Sequence, residues 1–264
     1  MPKLKVNNVE YYYEEFGSGD ETIVFSHGLL WSGWMFHPQV EVLKDRYKII
    51  TYDHRGQGKT EATEDGYDME TLYDDTVKLI KTLTDKPVIF AGLSMGGYVG
   101  MRLAARNPEM IKKLILMETA CDKEPEENFR LYKILSFLVK YVGYWPVEST
   151  VMKRMFGEKF LTNPDRKADY KKYLDKLRLN NRTSVIKALW GVADRNGIEE
   201  ELQNINCPTL VIVGDMDMPV PVEKSEDIHA RIKNSKLVII KGGGHTGSIE
   251  EPQQYNEAIL SFLA

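Results

Sequence analysis

The sequence has few of the features that mark membrane or nucleic-acid-binding proteins. It has only two cysteines in 264 residues, Cys121 and Cys207, and this pair does not by itself indicate a disulfide. No stretch reaches the roughly 20 apolar residues needed to span a bilayer, and no apolar signal-like segment follows the first residues. The net charge of −4 offers no basic excess for nucleic acid or an anionic membrane. We therefore expect a cytoplasmic protein with no nucleic-acid or membrane partner.

Sequence motifs for metal and cofactor binding are also missing. Neither His-x-x-x-His nor Cys-x-x-Cys occurs, although a metal site would use close spacings of this kind. The glycine-rich segments at 17–19 and 242–244 are not part of a phosphate-binding motif, so they indicate turns. We expect neither a metal nor a cofactor.

What is present is an alternation of apolar runs and amphipathic stretches. Strands are predicted at 9–16, 22–26, 47–52, 87–91, 112–117, 208–214 and 236–240, and helices at 38–44, 68–83, 98–107 and 223–232. This order predicts an α/β fold, in which a mostly parallel sheet has helices on both faces. From about residue 121 to about residue 197 a helical, aromatic-rich segment replaces the alternation. We expect one core built from residues 1–120 and 201–264, with residues 121–200 as a helical cap inserted between them.

One serine lies in an unusual glycine context. Ser94 is flanked by Gly92 and Gly96, between a predicted strand and a predicted helix. A serine at such a tight turn has a crowded backbone, so the neighbours two positions away must be glycine to let strand and helix pass. The turn also places the serine at a helix N-terminus, which favours negative charge on a bound carbonyl oxygen. The pattern therefore predicts a nucleophile elbow.

A base and a carboxylate follow later in the chain, each just after a predicted strand. Asp215 and Asp217 follow the apolar run 208–214, and His245 follows the run 236–240. Side chains at the carboxyl ends of parallel strands meet at one edge of a sheet. The order serine, acid, histidine is the one that an α/β-hydrolase elbow requires.

These segments together resemble the α/β-hydrolase superfamily over nearly the whole chain. The motifs that carry the resemblance are Ser26-His27-Gly28-Leu29, Tyr52-Asp53-His54-Arg55-Gly56-Gln57-Gly58, the elbow, Gly214-x-x-Asp217-x-x-x-Pro221 and Gly244-His245-x-x-x-x-Glu250-x-Pro252. In that family, a helical insertion at the position of residues 121–200 forms a cap over the active site.

The resemblance implies a role for each member of the triad. Ser94 would be the nucleophile, His245 the general base and then acid, and Asp217 the carboxylate that orients the imidazole. Asp215 is the rival for the last role. Glu118, which follows the predicted strand 112–117, is a third candidate, since some members of the family place the acid there.

The resemblance also implies an oxyanion hole made of two backbone N–H groups. These belong to Met95, the residue after the nucleophile, and to Leu29, in the loop after an earlier strand. Backbone donors need no polar side chain at either position. We expect Leu29, Trp31 and some aromatic residues of the insertion to contact the substrate.

Other polar residues near these motifs are interpreted as structural. His27 is expected to stabilise its own loop. Asp53 and Arg55 are expected to make an ion pair or hydrogen bonds that stabilise the turn after their strand.

From these residues we predict a serine hydrolase that cleaves a carboxylic ester or lactone through an acyl-enzyme intermediate. The substrate would be small to medium and largely apolar, because the insertion is rich in apolar side chains. The sequence is similar both to the cofactor-free haloperoxidase and perhydrolase esterases and to enol-lactonase-type hydrolases. A monomer or homodimer is expected.

Two other functions remain open on the sequence alone. The first is a hydroxynitrile-lyase-type lyase on the same scaffold, in which a lysine of the cap, Lys140 or Lys153, would assist the triad. The second is a hydrolase-fold ligand sensor with slow turnover, in which binding rather than catalysis carries the function.

Overall fold

Runs of β-branched and aromatic residues form one eight-stranded sheet. The computed structural model describes residues 3–264, and within them the strands are β1 (Lys3–Val6), β2 (Val9–Phe16), β3 (Thr22–Ser26), β4 (Lys48–Tyr52), β5 (Val88–Leu93), β6 (Ile111–Met117), β7 (Thr209–Gly214) and β8 (Ser235–Ile240). Their order across the sheet is β1-β2-β4-β3-β5-β6-β7-β8. The pairs β1–β2 and β2–β4 are antiparallel, and the other pairs are parallel. The predicted mostly parallel sheet is confirmed.

Helices connect the parallel strands. In residues 3–264 they are α1 (His37–Leu43), α2 (Met69–Leu83), α3 (Met95–Arg106), α4 (Phe129–Tyr141), α5 (Glu148–Met155), α6 (Glu158–Thr162), α7 (Lys167–Arg178), α8 (Arg182–Ala193), α9 (Val222–Arg231), α10 (Gly247–Glu250) and α11 (Pro252–Leu263). The start of α2 is capped by the Asp68 carboxylate, which accepts a 2.9 Å hydrogen bond from the backbone N–H of Thr71. Among these described helices, none combines the length and the apolar character that crossing a membrane requires.

The sheet buries both of its faces. On β3, Val24 packs into a core cluster that contains α2 and α3, whereas Ile23 and Phe25 pack into a second cluster that contains α1 and α11. Alternate residues of a strand point to opposite faces, so continuous apolar runs are what a sheet covered on both sides needs. This confirms the prediction of helices on both faces.

Some elements were not predicted from the sequence. Strand β1 and the four-residue helix α10 give too short a pattern to detect. Helix α3 begins at Met95, three residues earlier than the predicted start at Tyr98. The reason is that Gly96 and Gly97 have low intrinsic helix propensity, and close packing of this first turn overrides it.

Five helices, α4 to α8, occupy residues 129–193 between β6 and β7, where a helical insertion was predicted. We call them the inserted helices. They attach beside the loop that carries His245: the Arg166 guanidinium donates to the backbone oxygens of Ile249 and Glu250 at 3.1 and 2.9 Å. The backbone N–H of Thr246 donates to the oxygen of Met155 at 3.0 Å.

The buried Glu250 carboxylate joins the same two regions. It accepts hydrogen bonds from the backbone N–H of Gly157 in the insertion (2.7 Å) and from the backbone N–H groups of Gly244 (3.2 Å) and Thr246 (3.1 Å). The Thr246 hydroxyl donates to it as well, at 2.9 Å. Glu250 is only 1% exposed, and burial raises its pKa from 4.5 to about 7 against the opposing effect of these donors.

This buried carboxyl predicts a pH dependence of stability. Because its pKa is higher in the folded state, the folded protein binds the proton more tightly than the unfolded chain does. The resulting stabilisation is complete below about pH 4.5 and is lost as the pH rises through about 7. We therefore expect the free energy of unfolding of the wild type, minus that of Glu250→Gln, to fall by up to about 3 kcal/mol over this range.

Urea denaturation at intervals of pH measures this difference. Glu223→Gln, an exposed position on α9, is the reference for losing one carboxyl elsewhere. A difference between wild type and Glu250→Gln that stays flat, or that grows with pH, would contradict the assignment.

Candidate active site

The tight turn between β5 and α3 holds Ser94 in a conformation that few residues adopt. Its φ is 51° and its ψ is −112°, which is the positive-φ region that costs a side chain free energy. The chain is crowded on both sides. A Cβ at Gly92 would lie 2.2 Å from the backbone oxygen of Gly96, and a Cβ at Gly96 would lie 2.0 Å from that of Ser26. Both glycines are therefore required for strand and helix to pass, as predicted.

Ser94, His245 and Asp217 form one hydrogen-bonded chain. The Ser94 Oγ lies 3.0 Å from His245 Nε2, and His245 Nδ1 lies 2.9 and 3.0 Å from the two oxygens of Asp217. An Asp217 carboxylate requires the Nδ1–H tautomer, so Nε2 is left to accept the serine proton. All three side chains are buried. This arrangement can deprotonate a serine hydroxyl when it attacks a carbonyl carbon.

The three candidate acids have different partners. Asp217 also accepts a 2.9 Å hydrogen bond from the backbone N–H of Val220, which fixes its orientation. Asp215 instead accepts from the backbone N–H of Gly242 at 2.6 Å, which joins the loop after β7 to the loop after β8. Of the three, Asp217 is the one bonded to the imidazole.

Glu118 is buried one strand away and contacts different groups. One carboxyl oxygen accepts a hydrogen bond from the Tyr255 hydroxyl, and the other has no partner within residues 3–264. Burial, together with the nearby negative charges of Asp217 and Glu250, raises the pKa of Glu118 well above its usual range. Because burial disfavours the charged form, Glu118 is less suited than Asp217 to supply the negative charge that an imidazolium needs.

The loop that carries Leu29 packs directly on the elbow. A Cβ at Gly28 would lie 3.4 Å from the Cβ of Ser94, so this loop and the serine are in close contact. Met95 is the first residue of α3, and an N–H in a helix's first turn has no partner inside the helix. The two backbone groups predicted for an oxyanion hole thus belong to adjoining segments beside Ser94.

Gln57 contacts both of these segments, a role that its sequence motif did not predict. Its side-chain oxygen accepts a 3.0 Å hydrogen bond from the backbone N–H of Leu30, a residue with φ of 76°. Its amide group lies 3.8 Å from the sulfur of Met95. Gln57 therefore fixes the loop against the start of α3.

His27 has a structural environment, in agreement with its interpretation from the sequence. Its Nδ1 lies 2.8 Å from the backbone oxygen of Gly28, and its Nε2 accepts a 2.8 Å hydrogen bond from the backbone N–H of His54. Burial lowers the pKa of His27 to about 4, so the ring is neutral near pH 7. Nδ1 therefore contacts the loop of His27 itself, whereas Nε2 contacts the loop after β4.

Asp53 and Arg55 also stabilise structure, although not through each other. The Asp53 carboxylate accepts from the backbone N–H groups of Gly33 and Lys59, each at 2.8 Å. Arg55 makes a buried ion pair with Asp75 at 2.7 Å. The carboxylate that Arg55 contacts comes from α2, a pairing across the fold that local sequence does not reveal.

A cavity of about 140 Å³ opens beside the triad. Leu29, Ser94 and His245 line one part of it. Most of the remaining lining is apolar and comes from the inserted helices, including Leu135, Val139, Val151, Leu177, Ile186 and Leu189. Leu29 and two aromatic residues of the insertion, Tyr132 and Tyr144, thus line the cavity, and their contact with a substrate stays a prediction.

The corresponding prediction for Trp31 is wrong. Trp31 is 2% exposed and packs edge-on against Trp34 and Phe156, with ring centres 5.9 Å apart in each case. It does not contribute to the cavity lining. The indole fills core volume beneath the inserted helices, so burial among aromatic rings determines its position.

Charged groups of the insertion differ in whether they reach the cavity. Lys140 and Lys153, the two lysines considered for a lyase, are exposed and do not line it. Arg154 does line it and was missed, although it shares a helical face with the apolar residues Val151 and Met155. Within residues 3–264, no cluster of three or more His, Cys, Asp and Glu side chains is arranged to hold a metal ion.

The chain is similar to several known proteins along nearly its whole length. A 3-oxoadipate enol-lactonase of Acinetobacter baylyi is 27% identical over 261 residues, which cover 98% of this chain and 95% of that protein. The structure is similar to that of a thermophilic esterase from Thermogutta terrifontis (TM-score 0.91, 26% identity, 99% of this chain and 97% of that one). It is also similar to that of a bromoperoxidase from Bacillus anthracis (TM-score 0.89, 27% identity, 99% of each chain).

The match to a family model covers most of the chain. The model describes the alpha/beta hydrolase fold, and it matches residues 21–252. This range contains the elbow, the loop with Leu29, and both Asp217 and His245. The protein therefore belongs to the alpha/beta hydrolase fold family.

Proposed function

We propose that the protein is a serine hydrolase that cleaves carboxylic esters or lactones through an acyl-enzyme intermediate. The observation that carries this proposal is the hydrogen-bonded chain from Asp217 through His245 to Ser94, which lines a largely apolar cavity. Membership of the alpha/beta hydrolase family, and the esterase and enol-lactonase among its relatives, support hydrolysis of ester-type bonds.

The reaction begins with attack of the Ser94 oxygen on the carbonyl carbon, while His245 Nε2 takes the hydroxyl proton. Asp217 stabilises the imidazolium that forms and keeps its Nδ1–H directed at the carboxylate. His245 then donates its proton to the leaving alcohol, and the acyl group stays on Ser94. A water molecule, deprotonated by the same imidazole, hydrolyses the acyl-enzyme and restores the serine.

Negative charge that develops on the carbonyl oxygen needs fixed donors. The backbone N–H groups of Leu29 and Met95 are our candidates, because their segments meet beside Ser94 and Gln57 holds them together. Donors fixed before the reaction need no rearrangement as charge develops, and losing one typically costs about 3 kcal/mol of transition-state stabilisation.

The cavity suggests the size and polarity of the substrate. Its volume of about 140 Å³ is near that of a cavity that holds benzene, and its walls are mainly apolar. We propose that residues 121–200 act as a cap that limits water around the acyl-enzyme, over a core of residues 1–120 and 201–264. The preferred substrates are small to medium esters or lactones with a largely apolar body.

The two alternative functions have less support. A lyase that uses a lysine of the cap would need Lys140 or Lys153 at the substrate, and both side chains are exposed away from the cavity. A slow-turnover sensor would not require a serine already within hydrogen-bonding distance of its base. We therefore favour an enzyme that turns over.

The first prediction concerns the nucleophile. Ser94→Ala should lower kcat for a 4-nitrophenyl ester of a short fatty acid by about 10⁴-fold or more, because the covalent route is lost. Steady-state absorbance assays at pH 7.5 measure this.

Ser225→Ala is the matched control for removal of a serine hydroxyl. Ser225 lies on α9, is fully buried, and its hydroxyl has no partner among the described residues. We expect this variant to keep its activity. Retention of most of the activity by folded Ser94→Ala would exclude the proposed mechanism.

The second prediction separates the two neighbouring aspartates. Asp217→Asn should lower kcat/KM by about 10³- to 10⁴-fold, because an amide no longer stabilises the imidazolium or selects its tautomer. Asp215→Asn removes a carboxylate from the same loop but leaves the hydrogen bonds of His245 intact, so its kcat/KM should fall by less than about 10-fold.

Parallel kinetic assays and circular dichroism of the two variants test this. Equal losses in both variants, or a larger loss in Asp215→Asn, would show that the orienting carboxylate has been assigned wrongly.

A further inference from the structure

One cation that lines the mainly apolar cavity has no hydrogen-bond or ion-pair partner within residues 3–264. Arg154, on α5, lines the same cavity as Ser94 and His245. Its side chain is partly buried, and no carboxylate or carbonyl within residues 3–264 accepts a hydrogen bond from it. A guanidinium that is partly removed from water without a counter-charge loses some of its hydration free energy. No hydrogen bond or ion pair within the described residues offsets this loss.

The carboxylate that lines this cavity is already occupied. Glu124 accepts hydrogen bonds from Arg195 (2.9 Å), Asn128 (2.7 Å) and the Tyr132 hydroxyl (2.6 Å). Arg195, the nearby arginine, is neutralised by this contact. Glu124 therefore does not compensate Arg154, and the positive charge remains available to a ligand.

A second polar group in the cavity lining lacks a hydrogen-bond partner among the described residues. The Ser136 hydroxyl, on α4, is buried and makes no hydrogen bond within the described part of the chain. A buried hydroxyl without a partner also costs free energy. Burial and Glu124 raise the pKa of Tyr132 on the same helix, and the positive charge of Arg154 opposes them. Arg154 and Ser136 line the same cavity, from α5 and α4 respectively.

We propose that Arg154, assisted by the Ser136 hydroxyl, binds a carboxylate at the far end of the substrate's acyl chain. The substrate would then be an ester or lactone with a largely apolar body and one free carboxylate. The planar guanidinium presents paired N–H donors that match the two oxygens of a carboxylate. A hydroxyl can donate a further hydrogen bond to the same group.

This inference rests on the proposed function, because the order of the two reaction steps indicates that the acyl part carries the carboxylate. The alcohol leaves after the first half of the reaction, whereas the acyl group stays bound until water releases it. A contact to the acyl chain therefore holds the reacting carbon during both steps. The same contact to the alcohol would act in the first step alone.

The test uses two esters of equal shape, ethyl hydrogen glutarate and ethyl 5-methylhexanoate, in which an isopropyl group replaces the carboxylate. Acid release in a pH-stat gives kcat/KM for each. We expect the kcat/KM for the charged ester, divided by that for the neutral ester, to fall roughly 10-fold or more in Arg154→Met. A hydrogen bond between charged groups contributes about that much. Arg154→Lys keeps the charge but not the paired donors, so its ratio should be intermediate.

Lys153→Met is the matched control. It removes the same charge from the neighbouring position of α5, but its side chain is exposed and outside the cavity. We expect its ratio to equal that of the wild type. A structural role for Arg154 would lower Tm in Arg154→Met, whereas loss of an unpaired cation should leave Tm unchanged or raise it.

A binding measurement separates this inference from the proposed function. Titration calorimetry of ethyl hydrogen glutarate on Ser94→Ala should give a Kd that rises roughly 10-fold when Arg154→Met is added, and that stays constant with Lys153→Met. Absence of hydrolysis with Arg154-dependent binding would overturn the catalytic proposal alone. An unchanged substrate ratio and Kd in Arg154→Met, or equal effects of Arg154→Met and Lys153→Met, would overturn the carboxylate site.

Discussion

The proposed chemistry of this protein depends on three strand ends meeting at one edge of the sheet. Ser94 follows β5, Asp217 follows β7 and His245 follows β8. Parallel pairing of β7 with β8, in the register Gly214 opposite Ile240, brings the aspartate loop beside the histidine loop. A shift of one residue would send alternate side chains to the opposite face. The 2.9 to 3.0 Å contacts among Ser94, His245 and Asp217 therefore depend on the register of the sheet.

Burial of ionisable groups is the second constraint, and the buried carboxyl groups differ in their hydrogen-bond partners. Asp217 is compensated by His245 and a backbone N–H, and Glu250 by four donors that join the inserted helices to the histidine loop. Glu118 has one donor, and burial raises its pKa. Asp217 and Glu250 are thus compensated from within the protein, whereas one oxygen of Glu118 has no partner among the described residues. The partly buried Arg154 also lacks a counter-charge within residues 3–264, which is why we assign its counter-charge to the substrate.

The features that could be predicted from the sequence are those whose pattern lies within a short segment. The elbow could be read from two glycines around Ser94, because their role is to avoid backbone contacts within a short segment. The fold class followed from alternating apolar runs in the same way. The partner of Arg55 is a residue of α2 and the neighbours of Trp31 include an aromatic ring of the insertion. Such contacts between distant segments leave no local sequence pattern. For the same reason, the position of Arg154 in the cavity could not be predicted.

The most direct test of the central claim is a crystal structure of the protein after reaction with a 4-nitrophenyl alkylphosphonate, whose tetrahedral phosphorus resembles the proposed intermediate. We expect phosphorus bonded to Ser94 Oγ, with one phosphonyl oxygen about 3 Å from the backbone nitrogens of both Leu29 and Met95. An adduct on another residue, or a phosphonyl oxygen that points away from both nitrogens, would contradict the account.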